Sequence, residues 1–318
     1  MPLPPVITVL TGPTASGKTE VSLLLAELLG AEIINADSRQ VFRGFDIGTA
    51  KPSSKELGRI PHHGIDICGP EDNWTAGDFY REAQVWMHDI TERGKKVLVV
   101  GGSGLYVRAL TDGIFEGPSP DPALRENLLR RLQNEGLAAL RTQLQDLDPE
   151  IIRSIDQDNP ARVLRALEVC LQSGRPYSDI RRERMPTIPY RSVILGLHWD
   201  RPLLYRRIDA RVSAMMEHGF ADEVAALLSA GVSPDCQAMQ SVGYKELTAY
   251  FSGSFEMDEA VRRIQQHTRN FAKRQMTWFR RETRMQWISA EDDPGILAAK
   301  AAAIVREGGQ VQETTWKE

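Results

Sequence analysis

Cysteine is scarce in this sequence. The three residues Cys68, Cys170 and Cys236 lie far apart, with no C-x-x-C and no His/Cys pair at zinc spacing. Neither a disulfide framework nor a structural zinc site is expected, and a reducing cytoplasm suits such thiols best. Long apolar runs are also missing. None approaches the ~20 residues of a membrane helix, and Met1–Leu10 has no basic residue ahead of its apolar stretch. No membrane association and no secretory signal are therefore expected. Repeats and low-complexity tracts are absent as well, which excludes solenoid architectures. A strong net charge is lacking, at −4 over 318 residues. On average the surface does not favour a polyanion, but the average hides a local excess. Between Arg262 and Arg284 there are eight basic residues and one acid, Glu282, a local charge of +7. Binding answers to such local fields.

Several patterns are positive. The hydrophobic content of 42% supports a sizeable core, and the length suits about two domains. Over the first 110 residues strand and helix signals alternate. Val6–Leu10, Ile33–Ala36 and Val97–Val100 read as buried strands, Glu20–Leu29 and Thr75–Glu92 as helices. Fully buried strands between helix layers predict an α/β fold with a parallel sheet. From about Thr111 to Tyr190 the strand signal disappears. Pro118, Pro120 and Pro122 open this stretch, and Gly174, Pro176, Pro186 and Pro189 close it. Helical patterns fill it at Leu124–Asn134, Ala138–Leu144 and Arg162–Gln172, the last behind Asp158-Asn159-Pro160. Val193–Leu197 resumes the strand pattern, Met285–Ile288 is a short further strand, and the rest of Leu203–Arg306 is helical. The expected organisation is a core of residues 1–112 and 193–318 with a helical insertion at 113–192. The tail Gln310–Glu318 carries no functional signal.

The most specific chemical motif is Gly12-Pro13-Thr14-Ala15-Ser16-Gly17-Lys18-Thr19, which matches G-x-x-x-x-G-K-[ST] between an apolar strand and an amphipathic helix. Glycines let the backbone wrap a phosphate, and N–H groups at the helix start face it. Lys18 adds a positive charge and Thr19 a hydroxyl for Mg²⁺. P-loop NTPases usually hold that metal with a second acid after a buried strand. Here Val97–Val100 runs into Gly101-Gly102-Ser103-Gly104, with no carboxylate. A motor or switch GTPase is thereby disfavoured, which leaves small kinases and other users of a phosphorylated donor. Ligands of parallel sheets bind beyond the C-terminal strand ends. The phosphate loop, Asp37–Gln40 and Ser103 are therefore expected to face a common cleft, where Asp37 could accept a proton and Gln40 read a base edge; an acid that only caps a helix or loop would occupy the same position.

At this point the motifs resemble those of the bacterial tRNA dimethylallyltransferases, also called tRNA isopentenylpyrophosphate transferases. The resemblance rests on GPTASGKT at 12–19, ADSRQVF at 36–42, DIGTAKP at 46–52 and HHGIDI at 62–67. It continues through GGSGLYVRAL at 101–110, DNPARVLRALEV at 158–169, LLYRRIDARV at 203–212, VGYKE at 242–246 and KRQMTWFRR at 273–281. Ser103 stands where the family commonly has Thr, and Phe42 where it has Tyr. The resemblance implies a P-loop NTPase-like core, nucleotide-kinase-like, with an inserted all-helical domain. It implies transfer of the dimethylallyl group from dimethylallyl diphosphate to N6 of the adenosine immediately 3′ of the anticodon, with release of diphosphate. Mg²⁺ is the implied cofactor, tRNA through its anticodon stem-loop the implied partner, and no protein partner is required.

In that reading Asp37 is the base. Lys18, Thr19 and the rest of Gly12–Thr19 hold the diphosphate, and Arg207 and Arg211, four apart on one helix face, add charge. A solvated arginine face would give the same spacing. The implied tRNA contacts are Asp37, Ser38, Arg39, Gln40, Ser103 and Arg125; Ala161, Arg162, Val163, Leu164 and Arg165; Gly243, Tyr244, Lys245 and Glu246; and Gln275, Met276, Thr277, Trp278, Phe279, Arg280 and Arg281. The basic stretch agrees with this independently. Lys273, Arg274, Arg280 and Arg281 suit phosphates, and Trp278 and Phe279 offer stacking surfaces, although a solvated basic helix with half-buried or buried aromatics fits too. Two other classes remain open: a P-loop small-molecule or nucleotide kinase, which needs no basic stretch with Trp278, and a non-catalytic RNA binder, which needs neither Asp37 nor Lys18-Thr19.

Overall fold

The computed structural model describes residues 6–115, 117–118, 121–183 and 190–308. Pro120, Pro186, Pro189 and Gln310–Glu318 lie outside them. Thirteen helices and six strands follow one another among the described residues. They run β1 (Val6–Thr11), α1 (Lys18–Leu29), β2 (Ala31–Asn35), α2 (Ser54–Leu57), β3 (His62–His63), α3 (Ala76–Glu92), β4 (Lys96–Gly101) and α4 (Gly104–Asp112). Next come α5 (Pro122–Leu147), α6 (Pro149–Ser154), α7 (Pro160–Ser173) and α8 (Tyr177–Glu183). The chain closes with β5 (Arg191–His198), α9 (Arg201–Glu217), α10 (Phe220–Ser229), α11 (Tyr244–Phe251), α12 (Met257–Phe279), β6 (Met285–Ser289) and α13 (Pro294–Arg306). Two compact units result, one of Met1–Asp112 with Ile188–Glu318, the other of Gly113–Thr187.

In the larger unit all six strands are parallel, in the order β3-β2-β4-β1-β5-β6. β1 sits where the winding reverses, the usual site of ligand binding in open parallel sheets. The valine- and isoleucine-rich strands are buried on both faces. Leu10, Leu98 and Leu195 join Leu23 and Leu25 of α1 and Leu297 and Ala301 of α13 in one core. A second core lies under the cleft and unites Phe42 and Phe45 with Val212, Phe220, Val224 and Tyr244.

The smaller unit owes its helices to strong start signals. Asp121 accepts hydrogen bonds from the N–H groups of Ala123 and Leu124, with Pro122 in the first turn, and Asn159 caps α7 in the same way ahead of Pro160. The two helical patterns at 124–134 and 138–144 form one element with a kink at Gly136 (φ 79°). Leu128, Leu140, Leu144, Ile151, Val163 and Leu167 form its core.

Candidate active site

The phosphate loop carries strain and is braced for it. Ala15 adopts φ 63°, a left-handed conformation that costs a non-glycine residue on the order of 1–3 kcal/mol. Two side chains beyond β5 hold the turn. Arg207 donates from Nε to the Ala15 carbonyl at 2.9 Å, and Trp199 donates from Nε1 to the Ser16 carbonyl at 3.1 Å. The Arg207 guanidinium also lies 4.3 Å over the Trp199 ring, a cation–π contact that keeps it in place. Lys18 begins α1 and donates to the carbonyls of Gly12 (2.9 Å) and Pro13 (2.8 Å).

Asp37 stands two residues past the end of β2. Its Oδ1 accepts the N–H of Arg39 at 2.8 Å, and the Arg39 guanidinium donates to the Gln237 carbonyl at 2.7 Å. Gln40 spends its amide nitrogen on the carbonyls of Thr49 and Ala50. It thereby fixes the cleft wall and keeps only Oε1 to read a base. The same wall is gripped from behind. One carboxylate, Glu223 on α10, accepts the N–H groups of Asp46, Ile47 and Gly48 and the hydroxyl of Tyr244. Lys51 pairs with Asp46 and Asp66.

The phosphate loop, Asp37–Gln40, Gly48–Pro52, Gly102–Leu105 and side chains of α9, α11 and α12 enclose one cleft of about 820 Å³. That is within the usual range of small-molecule sites, roughly 300–1,000 Å³. One side is charged. Burial, with the neighbouring Arg211 guanidinium, pulls Lys18 down to about 7, and Asp37 opposes the shift. Burial lowers Arg211 too, again against Asp37. Asp37, Lys18 and Arg211 thus lie within electrostatic reach of one another. Among the described residues no carboxylate lies within ion-pair distance of Arg211. The other side of the cleft is apolar, with Ile208, Val212, Met215 and Phe220. Ser103 lines the cleft beside the end of β4, and no acid follows that strand.

The basic stretch divides in two. Arg262 and Arg263 pair with Glu259, Arg269 with Asp209, and Arg284 with Glu282 and Asp112. Lys273, Arg274, Arg280 and Arg281 are exposed, with no ion-pair partner among the described residues. Trp278 is half-buried. Its indole lies so close to α4 that a Cβ on Gly104 would stand 2.1 Å from Cδ1. Thr277 and Arg280 share the exposed side.

Several sequence expectations need correction. Phe279 is 1% exposed, so it packs in the core and offers no stacking face. Tyr244, Glu246, Val163 and Leu164 are likewise buried. Their side chains complete cores and caps, and Glu246 accepts the Gly243 N–H at 2.6 Å and pairs with His267. Arg125 and Arg165 are not free cations, since both pair with the buried Glu168 within the smaller unit. Ala161 and Arg162 are exposed at the start of α7. Lys245 is partnered by Glu246 at 3.7 Å. Gln275 points away from solvent and bonds the phosphate loop. Met276 is half-buried and Ser38 lines the cleft. Phe42 is fully buried against Phe45. Glu223 and Trp199 escaped the sequence reading. An acid in a first helical turn looks like an ordinary dipole partner, whereas an indole directly after β5 was a usable signal, because that strand end faces the cleft.

Comparison with known proteins agrees with this geometry. The family model described as IPP transferase matches residues 40–282, and one described as isopentenyl transferase matches residues 5–67. The chain is 47% identical over 283 residues to the tRNA dimethylallyltransferase of Geobacter metallireducens, covering 89% of this chain and 92% of that protein. It is 46% identical over 308 residues to tRNA dimethylallyltransferase 1 of Citrifermentans bemidjiense, covering 94% and 96%. The crystal structure of the full-length tRNA isopentenylpyrophosphate transferase of Bacillus halodurans superposes with a TM-score of 0.72 at 36% identity, over 95% of this chain and 96% of that one. A eukaryotic dimethylallyltransferase acting on tRNA superposes with a TM-score of 0.83 at 25% identity, over 98% and 81%. A glycine loop aimed with Asp37 and Arg211 into one cleft, on a chain matched along most of its length, places this protein in the IPP transferase family, the tRNA dimethylallyltransferases.

Proposed function

We propose that the cleft transfers the dimethylallyl group of dimethylallyl diphosphate to N6 of the adenosine immediately 3′ of the anticodon, and releases diphosphate. Dimethylallyl transfer to tRNA is the activity its family is named for. The observation that carries the atomic detail is the shared placement of Asp37, Lys18 and Arg211. A base stands beside the cations that a departing diphosphate requires.

The N6 lone pair is delocalised into the adenine ring, so N6 is a poor nucleophile. As N6 bonds to C1 of the allyl group, the C1–O bond breaks and the electron pair leaves with the diphosphate. Asp37 takes the N6 proton. Lys18, Arg211 and the loop N–H groups stabilise the growing charge on the leaving group. The apolar wall at Ile208, Val212, Met215 and Phe220 suits the hydrocarbon end of the donor. Thr19, the hydroxyl residue of the phosphate loop, lines the cleft and is the residue that would hold Mg²⁺ there. Mg²⁺ prefers few protein ligands plus phosphate oxygens and water. When bound, it neutralises charge on the diphosphate.

The acceptor nucleotide must leave its stack, which costs a few kcal/mol and least in a single-stranded loop. An anticodon loop meets that condition, and the unpaired cations of α12 suit its backbone phosphates. Among the described residues no helix is long and apolar enough to cross a membrane, and a cytoplasmic site of action accords with a tRNA substrate.

The kinase alternative shares the loop but requires a triphosphate donor. Incubation with tRNA and either labelled dimethylallyl diphosphate or γ-labelled ATP separates the two. Label should enter RNA from the first and not the second, with no tRNA-stimulated ATP hydrolysis. Phosphate transfer or robust ATPase activity would overturn the proposal.

A further inference from the structure

Gln275 lies on α12, between the unpaired Arg274 and the half-buried Trp278, yet its own side chain is 7% exposed. It faces the sheet. Its Oε1 accepts the N–H of Thr14 at 2.9 Å, and its Nε2 donates to the Gly102 carbonyl at 2.9 Å. One amide thus joins the phosphate loop after β1 to the turn after β4. The approach is tight, since a Cβ on Gly102 would stand 2.3 Å from Nε2. A buried amide with both ends bonded is costly to displace, because each broken bond strands a buried polar group. The exposed face of the same helical turns carries Lys273, Arg274 and Thr277, with the half-buried Trp278 beside it. A shift of α12 on docking RNA therefore has a rigid route to Thr14.

We propose that Gln275 is a positioning residue through which the RNA-facing helix and the phosphate loop set each other's geometry, so that diphosphate and RNA binding are thermodynamically coupled. The inference rests on the functional reading above for the identity of the two ligands. It replaces the direct tRNA contact that family resemblance implies for Gln275. Coupling of this kind is reciprocal, and typical factors are about 5–150.

The test measures the Kd of Mg²⁺–pyrophosphate on the full chain, alone and with a saturating anticodon stem-loop RNA. It then measures the Kd of that RNA with and without pyrophosphate. In the wild type each ligand should tighten the other by at least about fivefold. Gln275→Met keeps the volume and removes both hydrogen bonds. Gln275→Asn keeps an amide too short to span them. In both variants the coupling factor should fall towards one while the salt dependence of RNA binding stays unchanged. A purely structural role would weaken pyrophosphate equally with and without RNA, leaving the factor intact, and would overturn the proposal. So would a selective loss of RNA affinity, which would mark a direct contact. A wild type that binds both ligands independently refutes this inference alone; a wild type that binds no RNA refutes the functional reading as well.

Discussion

Burial in the cleft changes the chemistry of Lys18. Free in the cleft it titrates at about 7, so above that pH the amine is largely neutral. A bound diphosphate favours the ammonium form, and binding must then draw a proton from solution. Between pH 7.5 and 9 the Lys18 contribution should make affinity fall with rising pH, by up to about tenfold per unit. Calorimetry of pyrophosphate binding in buffers of different ionisation enthalpy should show close to one proton taken up at pH 8. Lys18→Arg, which stays charged, should show none; equal uptake in the variant would place the titrating group elsewhere. Asp37 acts on the other substrate. Asp37→Asn keeps the shape but cannot take the N6 proton, so kcat should drop by about 10²–10⁴ with both substrates still bound. A loss under roughly tenfold would assign the proton to water or another group.

At the scale of elements, α12 unites three roles on three sides: exposed cations, the inward Gln275, and core residues such as Ala272 and Phe279. Replacing Arg280 and Arg281 with Ala should weaken RNA binding and flatten its salt slope by about 1.4–1.8, the sum of two phosphate contacts. Trp278→Ala should lower the melting temperature, because the indole packs on Gly104, and leave the slope unchanged. An unaltered slope in the double arginine variant would remove Arg280 and Arg281 from the RNA phosphates. The helix also shows what the sequence conceals. Lys273, Arg274, Arg280 and Arg281 and their paired neighbours Arg262, Arg263, Arg269 and Arg284 look alike along the chain. Only folding brings Asp209 to Arg269 and Asp112 to Arg284, whereas Glu259 stands three and four residues before Arg262 and Arg263, a helical spacing the sequence already shows. Phe279 beside Trp278 is ambiguous for the same reason, since one step along a helix turns a side chain by about a quarter turn, from half-buried to core.

For the molecule as a whole, the parallel sheet was legible because buried strands of Val, Ile and Leu have few other homes, and the phosphate loop because its spacing and its strand–helix context agree. Asp37 and Ser103 were legible as strand-end residues. The two-residue strand His62–His63 was not, being too short to show a period. Nor was Glu223, whose four hydrogen bonds reach residues about 175 positions earlier and 21 later. Long-range grips of this kind leave no local pattern. Glu223→Gln should test that grip: it keeps the size, weakens acceptance by the three N–H groups, and should lower the melting temperature while raising KM for the donor. An unchanged KM and melting point would show the wall at 46–50 to be held without Glu223.

The most direct measurement of the central claim is the identity of the product. Unmodified tRNA incubated with the protein, Mg²⁺ and dimethylallyl diphosphate, then digested to nucleosides and analysed by mass spectrometry, should yield one adenosine per molecule carrying a single dimethylallyl group on N6. Fragment mapping should place it immediately 3′ of the anticodon, and Asp37→Asn should nearly abolish it. An unmodified tRNA, a group attached to another base or atom, or full activity in the Asp37 variant would contradict the account.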